Sequence, residues 1–256
     1  MVLERLDDPA SRSALREPLE AALSLARRSR LLRRRPWPGF GEPFNGQAAR
    51  RRTIDLLVDE FSPGALIETG TFLGFTTRHI AGYGPPTYTV EVSPRFRYAA
   101  RHALRDLDNV TLIWGDSAVA MRHLATKGTI GRPFAYLDAH WEEDVPLQAE
   151  IDCLLASWED VVVAIDDFRV PADPGYSYDI YGGVPLSQEQ LTLPATATVA
   201  YPAVAAVDET GSRRGTLYLA QGEGRAAIEA GQRAGLLAVS GRGEAAVVGK
   251  LVEERG

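Results

Sequence analysis

The feature that most constrains the fold is an alternation, from residue 47 onward, of short apolar runs with segments of helical length. After a helix to about residue 61, strand-like runs lie near residues 65–69, 87–92, 110–114, 134–138 and 161–166. Strands that alternate with helices form a parallel sheet covered on both faces. Two further runs, 204–207 and 216–220, flank a glycine-bearing turn and predict an antiparallel pair. We therefore expect a Rossmann-like α/β fold: a mostly parallel sheet of seven strands, helices on both faces and an antiparallel C-terminal hairpin.

Length and composition limit the class of protein. The chain has 256 residues and is 45% apolar, which suffices for one large domain. We expect residues 1–46 to form a helical extension or lid and residues 47–256 to form the main domain. No apolar run approaches the roughly 20 residues that a membrane span needs, and the first residues carry charges where a signal peptide would be apolar. The sequence predicts a cytoplasmic protein without membrane contact.

The charge is distributed unevenly along the chain. The net charge is −6, but residues 1–52 hold twelve arginines against six acids, so the remainder holds sixteen basic and twenty-eight acidic residues. An acidic body argues against a nucleic-acid partner, which would need a broad basic face. The arginines between residues 27 and 35 either grip phosphates or form a solvated basic helix end. The single cysteine, Cys153, excludes an internal disulfide and a cysteine-based zinc site.

The N-terminal extension carries two further signals. Leu15, Leu19 and Leu23 recur at a spacing of four, which predicts an amphipathic helix that needs a partner. That helix could form a dimer contact, and hence a homo-oligomer, or a lid. Residues 36–44 contain three prolines and two glycines, which is typical of a linker or lid. Its aromatic residues either cover a ligand or anchor the extension to the body: Trp37, Phe40 and Phe44.

A glycine-bearing loop follows the first strand of the alternation. Gly70 and Gly74 lie between the run 65–69 and the next helix. In an open α/β sheet the ligand binds beyond the carboxyl ends of the strands, where glycine permits close approach and a helix N-terminus offers free amides. Two glycines after a strand also make ordinary turns, so this loop alone does not identify a cofactor.

Acidic residues follow the next two strands. Glu91 ends the second run, where an acid can bind the two hydroxyl groups of a ribose, and Asp116 with Ser117 follows the third. With Glu68 and the two glycines, this pattern resembles the class I S-adenosylmethionine-dependent methyltransferases. In that family an acidic-x-Gly-x-x-x-Gly motif, an acid after the second strand and a Gly-Asp pair after the third line the cofactor pocket. The resemblance covers roughly residues 47–220.

The resemblance implies a cofactor and its contacts. S-adenosylmethionine would lie with its methionine end near Glu68, Gly70 and Gly74 and its ribose at Glu91. Asp116 and Ser117 would face the adenine. The other expected cofactor contacts are Thr71, Thr76 and Asp138. Trp114 is either a stacking surface or a core aromatic residue.

Three carboxylates follow the fourth and fifth runs. Asp138 ends the fourth, and Asp166 and Asp167 end the fifth. Carboxylates that converge at one sheet edge can hold a hard cation. The metal-dependent O-methyltransferases of the macrolide-sugar and catechol types place acids at these positions, so the resemblance implies Mg²⁺ bound by Asp138, Asp166 and Asp167. Alternatively, the three residues cap a helix and a turn.

The expected catalytic residues are His140 and Asp138. An imidazole, with a pKa of about 6.5, can accept the proton of an acceptor hydroxyl at neutral pH. Asp144 is the alternative base, and a packed or cofactor-stacking His140 is the alternative interpretation. The sugar-type enzymes carry an acid where this chain has His140, and the catechol type carries a lysine where it has Trp141, so the route of the proton is open.

The resemblance predicts a magnesium-dependent O-methyltransferase that acts on a small polyhydroxylated acceptor, sugar-like or catechol-like. Three tyrosines within residues 173–183 either wall the acceptor pocket or lie in a solvent-facing loop: Tyr176, Tyr178 and Tyr181. A methyltransferase without metal and a cofactor-binding module without chemistry are the alternative functions. A nicotinamide dehydrogenase is disfavoured because the loop lacks the three-glycine spacing.

Overall fold

The computed structural model describes residues 1–5, 16–139 and 145–242. Its main sheet has nine strands in the order β1-β4-β3-β2-β5-β6-β10-β9-β11. The strands are β1 (Val2–Arg5), β2 (Ala65–Thr69), β3 (Thr87–Glu91), β4 (Val110–Trp114), β5 (Pro133–Leu137), β6 (Val161–Ile165), β9 (Thr198–Pro202), β10 (Leu217–Gln221) and β11 (Leu237–Arg242), and a separate ribbon is formed by β7 (Ile180–Tyr181) and β8 (Val184–Pro185). The helices are α1 (Arg16–Arg34), α2 (Ala48–Phe61), α3 (Phe75–Ala81), α4 (Pro94–Leu104), α5 (Ser117–Thr126), α6 (Leu147–Ser157) and α7 (Gly224–Arg233).

The parallel half of the sheet confirms the predicted α/β fold. Strands β2 to β6 are parallel neighbours and lie within one residue of the five predicted runs. They are apolar because both faces are covered: every residue of β2, β5 and β6 is buried. The chain builds outward from β2 through β3 to β4, then crosses to β5 on the other side of β2. The order of the strands therefore reverses between β2 and β5.

Two helical layers cover the sheet. Helices α5 and α6 pack against one face through residues that include Met121, Leu124 and Ile151. Helices α2, α3 and α7 pack against the other through residues that include Ile54 and Ile228. Because side chains alternate along a strand, neighbouring residues at a strand end face opposite helical layers.

The antiparallel end of the sheet differs in detail from the expectation. Strand β10 is antiparallel to β6 and to β9, as a closing hairpin requires, but the predicted strand at residues 204–207 was wrong. A 3₁₀ turn over Ala206–Asp208 lies there, with the Val207 side chain 73% exposed, whereas the strand is β9, whose Val199 and Tyr201 enter the core. With β1 and β11 at the edges, the sheet has nine strands rather than seven.

Helix α1 packs on α4 through a polar residue, Ser24, and through Leu31 and Leu32, which contact the cluster that includes Ala99 of α4, rather than through the predicted Leu19 and Leu23. The Ser24 hydroxyl donates to the Arg95 carbonyl oxygen at 2.6 Å and accepts from the Ala99 amide at 3.0 Å. Leu19 and Leu23 are 63% and 61% exposed, and Leu15 lies outside the described residues. None of the described helices is both long and apolar enough to cross a membrane.

The segment that follows α1 is anchored to the body. Phe40 and Phe44 are buried, and the Phe40 ring meets Phe72 and Phe75 edge to face. Phe44 packs in the same manner on Tyr136. This segment therefore lies against the loop that follows β2.

Candidate active site

The loops after β2 and β5 meet where the strand order reverses. Gly70 has a φ of 85°, and a Cβ atom on it would lie 2.2 Å from the carbonyl oxygen of Asp138. The Asp138 amide also donates to the Thr69 carbonyl oxygen at 3.0 Å. A ligand of an open α/β sheet binds beyond the carboxyl ends of the strands at such a point. Only glycine allows these two backbones to approach so closely.

The remaining residues of the loop after β2 make contacts within the protein that stabilise the loop. Gly74 starts α3 with a φ of 79°, and the Thr71 hydroxyl lies 2.6 Å from that of Thr89. The Thr76 hydroxyl accepts from the Phe44 amide at 3.1 Å, so it secures the N-terminal segment. Contacts of Thr71, Gly74 and Thr76 with a cofactor stay predictions.

Glu68 supports the loop from within the protein. Its carboxylate is buried and accepts hydrogen bonds from the hydroxyls of Thr77 and Thr89, the latter at 2.6 Å. Burial raises the pKa of Glu68 to about 7, although the two hydroxyl donors oppose the shift. The carboxylate therefore ties β2 to α3 and β3.

Glu91 lies at the end of β3, beside the same loop. One carboxylate oxygen accepts from the Phe72 amide at 2.8 Å and the other from the Ser93 amide at 2.7 Å. Burial raises its pKa to about 7, and the Ser93 and Phe72 amides act in the opposite direction. Because each carboxylate oxygen has two lone pairs, each can accept one more hydrogen bond. This geometry suits the two hydroxyl groups of a ribose.

The loop after β4 contains the residues expected near an adenine. Asp116 is exposed and caps α5, since its side chain accepts from the Val119 amide at 2.8 Å. Ser117 is buried. The Trp114 ring is buried at the end of β4, and the Arg97 guanidinium lies 3.6 Å from its centroid, so one face of this ring is already covered.

Glu150 is a buried acid that the sequence analysis missed. It lies in the first turn of α6 at 0% exposure, and neither carboxyl oxygen has a hydrogen-bond partner among the described residues. Burial raises its pKa to about 7, while the nearby Ser117 and Thr69 hydroxyls lower it. It therefore lies beneath the loops after β2 and β4. The available signal was its position on the apolar face of the helix, with Leu147 and Leu154.

The acids after β6 are each paired with an arginine. Asp166 is fully buried against Arg50, which is 2% exposed, and it accepts from the Tyr136 hydroxyl at 2.6 Å. Burial acts most strongly and would raise the pKa of Asp166, but the Arg50 charge, together with the hydrogen bonds from Tyr136 and the Asp167 amide, outweighs it and the pKa is lowered. Asp167 adopts a φ of 56° and pairs with Arg214. Each acid therefore has a basic partner within the protein.

Asp138 is half-buried at the end of β5, near these pairs. Burial, followed by the charges of Asp166 and Asp167, raises its pKa well above the usual range. Within residues 1–5, 16–139 and 145–242, no group of three or more His, Cys, Asp or Glu side chains is arranged to hold a metal ion. The magnesium site at Asp138, Asp166 and Asp167 stays a prediction.

The sequence analysis also missed the two arginines. Arg50 occupies the same face of α2 as Ile54, Leu57 and Phe61, and a charged residue on an apolar face was the available signal. Arg214 lies in the connection before β10, where no periodic pattern marks it. The predicted base His140, its alternative Asp144 and Trp141 lie outside the described residues.

The three tyrosines expected at the acceptor pocket differ in how far they are buried. Tyr176 is buried, and its hydroxyl donates to the Val204 carbonyl oxygen at 3.0 Å. Tyr178 and Tyr181 are half-buried, and the Tyr181 hydroxyl donates to Asp179 at 2.7 Å. Only Tyr178 and Tyr181 have surface available to a ligand.

Solved structures share this architecture. A protein from Klebsiella pneumoniae proposed to be an O-methyltransferase superimposes with a TM-score of 0.51 at 18% identity, over 85% of this chain and 91% of that chain. An O-methyltransferase from Bacillus cereus in complex with SAH gives a TM-score of 0.48 at 14% identity, over 84% and 94%. A methyltransferase from Geobacter sulfurreducens gives 0.49 at 12% identity, over 84% and 98%. No known family model matches the chain, and neither does any curated protein sequence. At 18% identity the similarity to the Klebsiella pneumoniae protein establishes the fold alone, which is the fold that the resemblance predicted.

Proposed function

We propose that this protein transfers a methyl group from S-adenosylmethionine to a hydroxyl group of a small polyhydroxylated acceptor, sugar-like or catechol-like. The observation that carries the proposal is the meeting of Gly70 with the Asp138 backbone at the strand-order reversal, with Glu91 at the end of the next strand. An open α/β sheet binds its ligand at such a point, and a carboxylate there that can bind a diol suits a nucleoside cofactor. The shared fold supports the same assignment.

Each residue has a role in the proposed reaction. S-adenosylmethionine, when bound, supplies an electrophilic methyl group on a sulfonium. Gly70 and Gly74 allow the methionine end to approach the backbone, while Glu91 orients the ribose. Asp116 and Ser117 contact the adenine. Holding two reactants in line can give effective molarities on the order of 10⁵–10⁸ M, so positioning by these residues is itself a source of rate enhancement.

The acceptor must lose its hydroxyl proton as the methyl–sulfur bond breaks and the methyl–oxygen bond forms. We assign the proton to His140, which follows Asp138 by two residues in the sequence, with Asp144 as the alternative base. S-adenosylhomocysteine and the methyl ether are the products. A His140→Ala variant is expected to lose turnover while it keeps its affinity for S-adenosylhomocysteine.

The proposed reaction either uses a magnesium ion, as the resemblance implies, or proceeds without a metal. The reaction without a metal is the second candidate, and the arginine partners of Asp166 and Asp167 favour it. Turnover that persists in the presence of a chelator identifies this candidate. A cofactor-binding module without chemistry is the third, and it predicts cofactor binding without turnover on any acceptor.

Calorimetric titration with S-adenosylmethionine and S-adenosylhomocysteine tests the proposal. Glu91→Gln should weaken binding of both by about 10- to 100-fold, because a hydrogen bond to a charged group contributes about 1.5–3 kcal/mol. Asp108→Asn, at an exposed position between α4 and β4, is the matched control and should bind as the wild type does. If the wild type binds neither compound, the proposal is wrong. Release of S-adenosylhomocysteine across a panel of sugars and catechols then identifies the acceptor.

A further inference from the structure

Arg214 is a cation that the fold places between a carboxylate after β6 and a carboxylate just before β7. Its Nε atom donates to Asp167 and one Nη atom donates to Asp179. The three side chains are 23%, 17% and 31% exposed, so this bridge is largely shielded from water yet reachable from it.

The main chain of Arg214 is held from helix α2. Its amide donates to the Gln47 side chain at 2.7 Å, and its carbonyl oxygen accepts from the same side chain at 2.9 Å. The Arg50 guanidinium donates to that carbonyl oxygen as well. The Arg214 side chain therefore extends from a main chain whose position is fixed, which favours a role that needs defined geometry.

Asp166 has no lone pair to give a metal ion. One oxygen accepts from Arg50 and from the Asp167 amide at 2.7 Å. The other accepts from the Tyr136 hydroxyl at 2.6 Å and from the Asn45 side chain at 3.5 Å. A carboxylate offers about four acceptor positions, and these donors fill them.

A magnesium ion needs near-octahedral oxygen ligands at about 2.0–2.1 Å. Asp167 could supply one only by exchanging its bond to Arg214, and Asp166 only by exposing the buried charge of Arg50. The ion would also approach two guanidinium cations. The residues as arranged therefore do not fit a magnesium ion.

We propose that Arg214 takes the place of a divalent metal in this site and binds an oxygen atom of the acceptor. A guanidinium has five N–H donors, and three of those on Arg214 make no hydrogen bond to the described residues. They can bind a hydroxyl oxygen and stabilise the negative charge that develops on it. The acceptor contact rests on the methyl transfer proposed above, but the exclusion of a metal does not.

The same bridge sets the position of the tyrosine-bearing segment. Asp179 donates its amide to the Asp167 carbonyl oxygen at 2.9 Å and accepts from the Tyr181 hydroxyl at 2.7 Å. Arg214 thus joins the end of β6 to the ribbon that β7 and β8 form. An acceptor bound at Arg214 would also meet Tyr181.

Titration of the chelator-treated, full-length protein with Mn²⁺, followed by electron paramagnetic resonance, tests the exclusion of a metal. The wild type should show no saturable site. Arg214→Gln, which leaves Asp167 and Asp179 without their cation, should gain a saturable Mn²⁺ site, because carboxylates without a basic partner are ligands that suit this cation. Arg213→Gln, at an exposed neighbour that pairs with neither acid, should behave as the wild type does.

A saturable Mn²⁺ site in the wild type would overturn the proposal, and this measurement needs no variant to fold. Absence of a gain in a folded Arg214→Gln variant would overturn it too. With an active acceptor in hand, Arg214→Gln should raise the acceptor KM by about 10- to 100-fold, with less than a threefold change in S-adenosylhomocysteine affinity. An unchanged acceptor KM would refute the acceptor contact. A wild type that binds no cofactor would instead refute the proposed function and leave the Mn²⁺ result standing.

Discussion

Replacing Glu150 with glutamine should change how the stability of this protein depends on pH. Burial raises the pKa of Glu150 from 4.5 to about 7 in the folded protein. A raised carboxyl pKa means that the folded state prefers the protonated group. The stability that protonated Glu150 contributes is fully present below the unfolded pKa of 4.5 and is lost as the pH rises through about 7.

The magnitude follows from the difference between the two pKa values. At about 1.36 kcal/mol per pKa unit, the wild type loses about 3 kcal/mol between low pH and pH 8, of which about 2.5 kcal/mol falls between pH 5 and pH 8. Glutamine has nearly the same shape and cannot ionise. Glu150→Gln should therefore be more stable than the wild type above pH 7, and the gap should close towards pH 5.

Urea unfolding of both proteins at pH values from 5 to 8 measures this difference. Other groups titrate in both proteins, so their contributions cancel in the comparison. Glu159→Gln, at an exposed position just beyond α6, is the control and should follow the wild type. A constant difference between Glu150→Gln and the wild type at all pH values would refute the reasoning, because it would show that folding does not raise the pKa of Glu150.

Two further substitutions test the backbone contact and the deep ion pair. Gly70→Ala should lower the melting temperature by several times the 2–4 °C that about 1 kcal/mol represents in a chain of this size, because its Cβ would lie 2.2 Å from a backbone oxygen. The control is Gly84→Ala, where the φ is also positive but the Cβ would lie in open space, and it should cost only about 1 kcal/mol. Equal losses of stability in the two variants would contradict the backbone contact at Gly70. Arg50→Met should lower the free energy of unfolding in urea by about 3–5 kcal/mol, since it leaves the charge of Asp166 buried without a basic partner. The control is Arg51→Met, which removes a largely exposed side chain and should change stability little. Similar losses in both variants would argue against the buried pair.

The five parallel strands could be predicted because both of their faces are buried, so each strand is a continuous apolar run in the sequence. Strand β9 could not be predicted, since its Ala200 and Pro202 weaken the pattern, while the more apolar run 204–207 that follows it forms no strand and leaves Val207 exposed. Edge strands β1 and β11 are recognised through their pairing with distant partners, Thr111–Trp114 and Thr198–Pro202, rather than through local pattern.

The acidic residues of the candidate site could be predicted from the sequence, but its two arginines could not. Asp138, Asp166 and Asp167 follow apolar strands, so their place at the sheet edge follows from the fold. Arg50 and Arg214 are brought there by a helix and a connection that the sequence separates by more than a hundred residues. The spacing of acids alone therefore predicts a metal site even where basic side chains occupy the same space.

The bonds that fix helix α2 also set an order of events during synthesis of the chain. Glu209 holds the amides of Ala49 and Arg50 at 3.0 Å each, and Gln47 holds Arg214, 167 residues away. At about 5–20 residues per second, the ribosome needs roughly 10–30 s to cover that distance. The start of α2 lacks these partners through this interval, and a nascent chain that ends before residue 209 can form neither the bonds from Glu209 to α2 nor the pair of Arg214 with Asp167.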